Sequence, residues 1–344
     1  MSTHKVEVVE VKLETHPNAD TLSVVRIGGF TVCTRTADWK PGDLGAYVQP
    51  DSVVDTSRPE FSFLATEGRA KERIKVMRLR GVISMGLLVP APAGSKVGDN
   101  VMELLGVEHY EPPLNCTHGE DTKAPKNIWN YSYDVENARN YIDVLQEGEQ
   151  VLITEKIHGA NARFVFANGE FHTGTRTTWK MRNETTLWWA AANQNLWLET
   201  WCRLNPGIVV YGEVYGKVQE LRYGLPDNKY GVAVFDLLCG SDWIPYPVVR
   251  DSFPGIWAFF APIVYDGPYN AEQAYEFAEG DSLISGADHV REGVVVKPAF
   301  ERGDLRIGRV QLKIVGNGYF EGKKASKKAK RDKSNQTEIT PTQS

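Results

Sequence analysis

The apolar residues of this chain come in short runs, broken by 31 glycines and 18 prolines. Runs of that kind favour strands over long helices. Val6, Val8, Val11 and Leu13 alternate along the first of them. None approaches the ~18–20 apolar residues of a membrane-spanning helix. Hydrophobic residues make up 42% and charged residues 24% of the 344, which supports packed cores and excludes disorder over most of the length. That length predicts two domains.

The first 105 residues read as five or six short strands, around residues 5–13, 22–27, 30–32, 46–48, 73–79 and 86–89. So many short strands predict a small barrel or sandwich. Residues 56–72 are polar and read as a surface insertion. The turn at His16, Pro17, Asn18, Ala19 and Asp20 fits a hairpin corner or the opening of an OB-type tRNA-binding domain. Residues 106–127 read as a linker and 128–321 as a second domain. In that domain residues 134–145 read as a helix, as do 184–203. Residues 151–155, 162–166, 171–174, 209–215, 231–238 and 293–297 read as strands. Residues 322–344 read as a basic, disordered tail.

Charge and cysteine usage exclude several classes. The formal net charge is −5, yet residues 323–333 hold seven Lys/Arg against one Asp, so the rest of the chain carries −11. Binding of nucleic acid through bulk charge is excluded; a local groove is not. Cys33, Cys116, Cys202 and Cys239 form no CxxC pair, and Cys116 with His118 lacks further ligands for a metal. The N-terminus MSTHKVEVVEVK is charged and alternating, unlike a signal peptide. An intracellular protein, cytoplasmic or nuclear, with reduced thiols and no membrane association is expected.

The stretch that carries chemistry is Thr154, Glu155, Lys156, Ile157, His158, Gly159, Ala160, Asn161. It puts a lysine at the end of an apolar strand, just before a glycine turn. Taken alone, Lys156 is a solvated turn lysine. Further blocks change its weight. Arg176 lies between two threonines, and Glu213 and the pair Phe235–Asp236 lie near strand ends. Glu292 and Lys297 bracket a valine strand, and Lys313 follows.

These blocks, in this order over about residues 128–321, resemble the motifs of the covalent nucleotidyltransferases. The form Glu-Lys-x-His-Gly-x-Asn is similar to that of phage-type double-strand RNA ligases. The resemblance implies an α+β chain in which an N-terminal OB-like β-barrel precedes a nucleotidyltransferase domain of antiparallel sheets and flanking helices. It implies an ATP-dependent RNA ligase of RNA repair with ATP and Mg²⁺ or Mn²⁺ as cofactors. RNA and ATP are its implied partners, and a monomer is expected. Lys156 is the implied nucleophile and Glu213 and Glu292 the implied metal carboxylates, whose hard oxygens suit such ions. Lys297 and Lys313 are the implied α-phosphate contacts. Arg176 is implied to contact the nucleotide or the 5′-phosphate, where a guanidinium fork fits. Phe235 is implied to stack on adenine and Glu155 to accept from its amine. His158, Asn161 and Asp236 are implied to serve the later RNA steps.

Two departures are visible. Phage-type enzymes carry Lys-x-Lys where this chain has Gln311, Leu312, Lys313, Ile314, Val315, so either Gln311 or Val315 replaces a lysine. Those enzymes also place their extra domain after the catalytic one. Here it comes first, as in the Naegleria-type RNA ligases. In the first domain Lys71, Arg73, Lys75, Arg78 and Arg80 are expected along one strand as a nucleic-acid face. The competing readings are a DNA ligase or GTP-using capping enzyme on the same fold, and a non-catalytic RNA-binding protein with a relic second domain. The intact set Lys156, Glu213 and Glu292 argues against a relic.

Overall fold

A computed structural model describes residues 4–66, 68–110, 117–131 and 133–321. The tail expected at 322–344, Cys116, and part of the expected linker lie outside these residues. The chain divides into two compact units: Met1–Pro112 with Ala138–Ile142, and Pro113–Asn137 with Asp143–Ser344.

The first unit is built from short antiparallel ladders. Leu44–Val48 lies between Val6–Glu10 and Leu87–Pro90, and Leu22–Ile27 pairs with Glu14–Thr15 and Phe30–Arg35. Alternate side chains of these strands fill the interior: Val6, Val8, Ala46 and Val48 on one side, Val25, Val32, Tyr47 and Leu88 on the other. The 56–72 segment is more than a surface insertion. It holds a 3₁₀ helix, Pro59–Leu64, whose Phe61 is fully buried in the core. Around Pro17 the structure shows a corner: His16 is buried, and Asn18 Nδ2 donates to the Arg80 carbonyl at 2.9 Å.

The expected basic strand is also different. Lys71–Arg73 and Val76–Leu79 are separate strands in separate ladders. Lys71 pairs with Glu108 at 2.6 Å and Arg73 with Asp51 at 2.5 Å. Nearby acids take up two of the five cations.

The second unit holds two sheets. Seven strands form an antiparallel sheet in the order Asp121–Thr122, Trp179–Lys180, Glu170–Gly174, Ala160–Ala167, Ile208–Gly216, Tyr230–Cys239, Asp242–Trp243. Five strands form the other, in the order Glu136–Asn137, Leu312–Val315, Gly293–Pro298, Gln150–Glu155, Ile263–Pro268. The aromatic-rich segment expected as one helix is two, Leu187–Gln194 and Leu196–Leu204, which meet at Asn195. They bury Trp188, Trp189, Leu198 and Cys202 against Phe164, Val210 and Val234 of the larger sheet. The helix expected over 134–145 is absent. Glu136–Asn137 is an edge strand parallel to Leu312–Lys313, followed by a 3₁₀ turn, Ala138–Asn140. A sheet edge offering backbone partners outweighs the weak helix propensity of a segment rich in Asp, Asn and Val.

No helix among the described residues is long and apolar enough to cross a membrane.

Arg163, on the central strand Ala160–Ala167, ties the second unit together. It is fully buried, with Nε donating to the Thr175 carbonyl at 2.7 Å and Nη1 to Asn130 Oδ1 at 2.5 Å. Its guanidinium lies 4.6 Å from the centre of the Trp179 ring. Arg163→Ala empties a fully buried position and removes these bonds, and should cost on the order of 3 kcal/mol. Urea unfolding of the full chain checks this; a loss below about 1 kcal/mol is the range of an exposed charge and would contradict the assigned role.

Candidate active site

The strand Gln150–Glu155 belongs to the five-stranded sheet and Ala160–Ala167 to the seven-stranded one. Residues 156–159 are therefore where the chain passes from one sheet to the other. Lys156 N donates to the Gly293 carbonyl at 2.9 Å and fixes the end of the first strand. Gly159 is required at the start of the second. A Cβ there would lie 2.1 Å from the Val214 carbonyl oxygen, well inside contact distance.

This crossing aims several polar side chains at one place. Lys156 Nζ donates to Glu292 Oε2 at 2.8 Å, and His158 Nδ1 lies 3.2 Å from the same oxygen. Tyr223 fixes the turn by accepting from the His158 backbone N–H at 2.6 Å. Glu213 sits on Ile208–Gly216 directly opposite Asn161 in the ladder, so both side chains share a face. Asn161 Oδ1 is buried without a hydrogen-bond partner.

The two carboxylates are held in opposite ways. Burial pushes Glu213 up to about 8; Lys156 opposes that and the nearby Glu292 charge adds to it. Burial also acts on Glu292, yet the Lys156 charge and the hydrogen bond from His158 overcome it and hold the group down to about 2. Glu292 is thus the anion that Lys156 neutralises, and Glu213 keeps its proton.

A second cluster also joins the two sheets, with Lys297 on the five-stranded one and Asp236 on the seven-stranded one. Leu152 and Lys297 are ladder partners, which places Lys297 about 13 Å from Lys156 measured along the strand. Lys297 Nζ donates to Asp236 Oδ1 at 2.9 Å, and Arg309 grips the same carboxylate with two 2.9 Å bonds. Tyr133 donates its hydroxyl to Asp236, and its ring centre lies 4.6 Å from that of Phe235. Burial opposes ionisation of Asp236, but Arg309 and Lys297 hold its carboxyl down to about 2.

Three of the expected site residues are engaged with other residues of the chain. Glu155 is 1% exposed; its oxygens accept from Ser282 Oγ at 2.6 Å and Leu283 N at 2.7 Å. It fastens the 282–284 segment. Lys297, 4% exposed, is held by Asp236 and the Phe235 carbonyl. Asp236 is 3% exposed. Arg176 is exposed and donates to Asp134 Oδ1 at 3.2 Å. Lys313 is half-buried, opposite Val295. Phe235 is partly buried, with Tyr133 beside it.

Sequence reasoning missed Tyr223, Tyr133 and Arg309. Tyr223 and Tyr133 carry no local signal. Arg309 does: Arg309, Gln311 and Lys313 alternate into the last strand and so point to one face.

Among the described residues no three His, Cys, Asp or Glu side chains group to hold a metal ion. The donors present are the two carboxylates and the unpartnered amide oxygen of Asn161. Hard oxygens of this kind fit Mg²⁺ or Mn²⁺ completed by water and phosphate.

The RNA ligase family model matches residues 149–315, and a model of an OB-fold domain matches residues 4–91. No curated protein matches the chain. Among solved structures, a lysine-to-alanine variant of the Naegleria gruberi RNA ligase with ATP and Mn aligns with TM-score 0.75 and 25% identity, over 92% of this chain and 98% of that one. A glutamate-to-alanine variant of that ligase with AMP and Mn gives 0.76 and 25%, over 92% and 98%. The sheets described above are accordingly an OB-fold domain followed by a ligase domain.

The raised Glu213 has a consequence for stability. The folded chain keeps a proton that the unfolded chain releases from about pH 4.5, until pH passes about 8. Stability contributed by that proton is full below the unfolded value and lost as pH rises through the window. Glu213→Gln supplies a neutral side chain at every pH. In metal-free and nucleotide-free protein it should match the wild type in melting temperature near pH 5 and exceed it by on the order of several degrees near pH 9. A pH-independent difference would contradict the assigned protonation.

Proposed function

We propose that in this chain, an ATP-dependent RNA ligase with an OB-fold domain ahead of its ligase domain, Lys156 is the amine that takes AMP from ATP. Its nitrogen attacks the α-phosphorus, a P–N bond forms, the P–O bond to the leaving group breaks, and pyrophosphate departs. AMP then passes to an RNA 5′-phosphate, and the 3′-OH of a second end attacks that phosphate and releases AMP. The observation that carries this reading is the cluster of Lys156, Glu292 and His158 at the sheet crossing, with Glu213 in electrostatic reach.

A protonated lysine has no lone pair, and in the resting structure Glu292 favours the protonated form. Mg²⁺ or Mn²⁺ held by Glu213, Glu292 and Asn161 would supply a competing positive charge at Glu292 and spread the phosphate charge. His158 sits where it can hold Glu292 in place when Lys156 lets go. Phe235 offers the adenine a partly exposed face, Arg176 an exposed guanidinium for a phosphate, and Lys313 a cation for the α-phosphate. The steps are phosphoryl displacements, so positioning and charge stabilisation dominate.

The first unit, in this reading, engages RNA and takes no part in nucleotide chemistry. OB surfaces track nucleic-acid backbones through cations and stacking. Lys75, Arg78 and Arg80 are its exposed cations beside the Val76–Leu79 strand. One chain carries the whole residue set, so we read it as acting alone. Its use of ATP and RNA assigns it to the cytoplasm or nucleus.

Incubation with labelled ATP and Mn²⁺ or Mg²⁺ should leave an acid-stable AMP adduct on the protein. Lys156→Ala should abolish it while the chain still folds, at a lower melting temperature because Glu292 loses its partner. An adduct persisting in Lys156→Ala overturns the assignment. The double change Lys75→Glu with Arg80→Glu should leave adduct formation unchanged. It should lower sealing of pre-adenylated RNA by about tenfold or more at low salt, with less difference at high salt. Unaltered sealing would remove these cations from the RNA path.

A further inference from the structure

Where the resemblance expects a lysine pair, Gln311 is one candidate for the missing member. The structure shows what occupies its surroundings. Arg309 uses all five of its N–H donors. Nε and Nη2 donate to Glu301 at 2.7 and 2.6 Å. Nη2 and Nη1 donate to the two oxygens of Asp236, each at 2.9 Å. The fifth, on Nη1, goes to Gln311 Oε1 at 3.1 Å. The other end of the same amide, Gln311 Nε2, donates to the Asp134 carbonyl at 2.8 Å. The Tyr133 hydroxyl lies 2.7 Å from Gln311 Oε1. Gln311 is 4% exposed, so its amide cannot turn to water instead.

The charges also close. Asp236 and Glu301 face Lys297 and Arg309, two anions against two cations. A lysine at 311 would place a third cation beside Arg309. It would also remove the acceptor of the fifth donor, and an amine with no acceptor atom has nothing to return to it. A neutral amide meets both demands, since it accepts at one end and donates at the other.

We propose that Gln311 is not a lost phosphate lysine but the neutral member of a charge-balanced network, in which Arg309 is a positioning residue for Phe235. The path is short. Arg309 fixes Asp236, Lys297 ties Asp236 to the Phe235 carbonyl, and Tyr133 packs against the Phe235 ring. The inference rests on the reading of Phe235 as the adenine-stacking ring and leaves the phosphate to Lys313 on this strand.

A mutant cycle on the full chain tests it: Gln311→Lys, Arg309→Gln, and the two together. Read-outs are the melting temperature and, for AMP-adduct formation, the KM for ATP and the limiting rate. Each single variant should melt lower than the wild type and raise KM by about tenfold, with the limiting rate changed by less than about threefold, the effect of a loosened stacking face. The double variant restores two cations against two anions, so it should melt higher than Gln311→Lys and recover a large part of the KM. A single variant that does not fold while the double does counts the same way. Three results overturn the proposal: losses that simply add in the double variant, a double variant that fails to fold, or a Gln311→Lys chain as stable as wild type with a lower KM. The last would make position 311 a phosphate site. If the wild-type chain takes no label from ATP, the ligase reading itself fails, and the melting cycle still decides the network.

Discussion

The charge of Lys156 is drawn on by two carboxylates at once. It donates directly to Glu292, and its field also reaches Glu213, yet Glu213 stays protonated up to about pH 8. That imbalance depends on how the sheets are joined. Four residues carry the chain from one sheet to the other, and Gly159 makes the passage possible by coming against Val214 with no room for a side chain. The crossing brings Lys156 from the smaller sheet beside Glu213 from the larger. Glu292 then arrives one residue before the neighbouring strand, where Gly293 accepts the Lys156 backbone N–H. Displace any of these three positions and the carboxylates no longer share a lysine.

Much of this was legible in the sequence because the strands that carry the site are short, apolar and bounded by glycine. Residues 151–155, 209–215, 231–238 and 293–297 read as strands and are strands, within a residue or two at each end. Lys156, Glu213 and Glu292 could be picked out because each is a charge at or near the end of such a run. A charge in that position needs a partner or a task. The failures have a common cause. Residues 134–145 pattern like a helix only while the chain is considered alone; the free edge of Leu312–Val315 decides their conformation. Phe61 read as a loop residue because its neighbours are polar, and only the tertiary fold shows that it plugs the first core. Partners far apart in sequence, such as Tyr133 with Asp236 or Tyr223 with His158, leave no periodic trace.

Charge pattern misled in a more instructive way. A row of cations at 71–80 suggested one basic strand, but two of them lie beside acids contributed by other strands. Lys297 and Asp236, whose implied roles came from the motif resemblance, pair with each other. Residue type and spacing identify groups able to do chemistry. They do not say which groups have already been neutralised by a neighbour, and that depends on the fold.

The ligase domain contains both outcomes between the same two sheets, and comparing them separates scaffold from site. Around Asp236 two anions meet two cations, the Arg309 donors are all used, and each member is fixed by the others. Such a network gains nothing from a further ion and resists rearrangement. Around Lys156 the arrangement is incomplete. One carboxyl is held protonated by burial, an amide oxygen of Asn161 is buried without a partner, and His158 and Lys156 converge on one oxygen of Glu292. A cation arriving there would meet oxygens that the protein has left under-compensated. It would also weaken the hold of Glu292 on the lysine proton. The balanced cluster is therefore suited to holding an aromatic face still, and the incomplete one to changing its protonation when nucleotide and metal arrive. The short stretch of strand between them lets the same pair of sheets serve both needs.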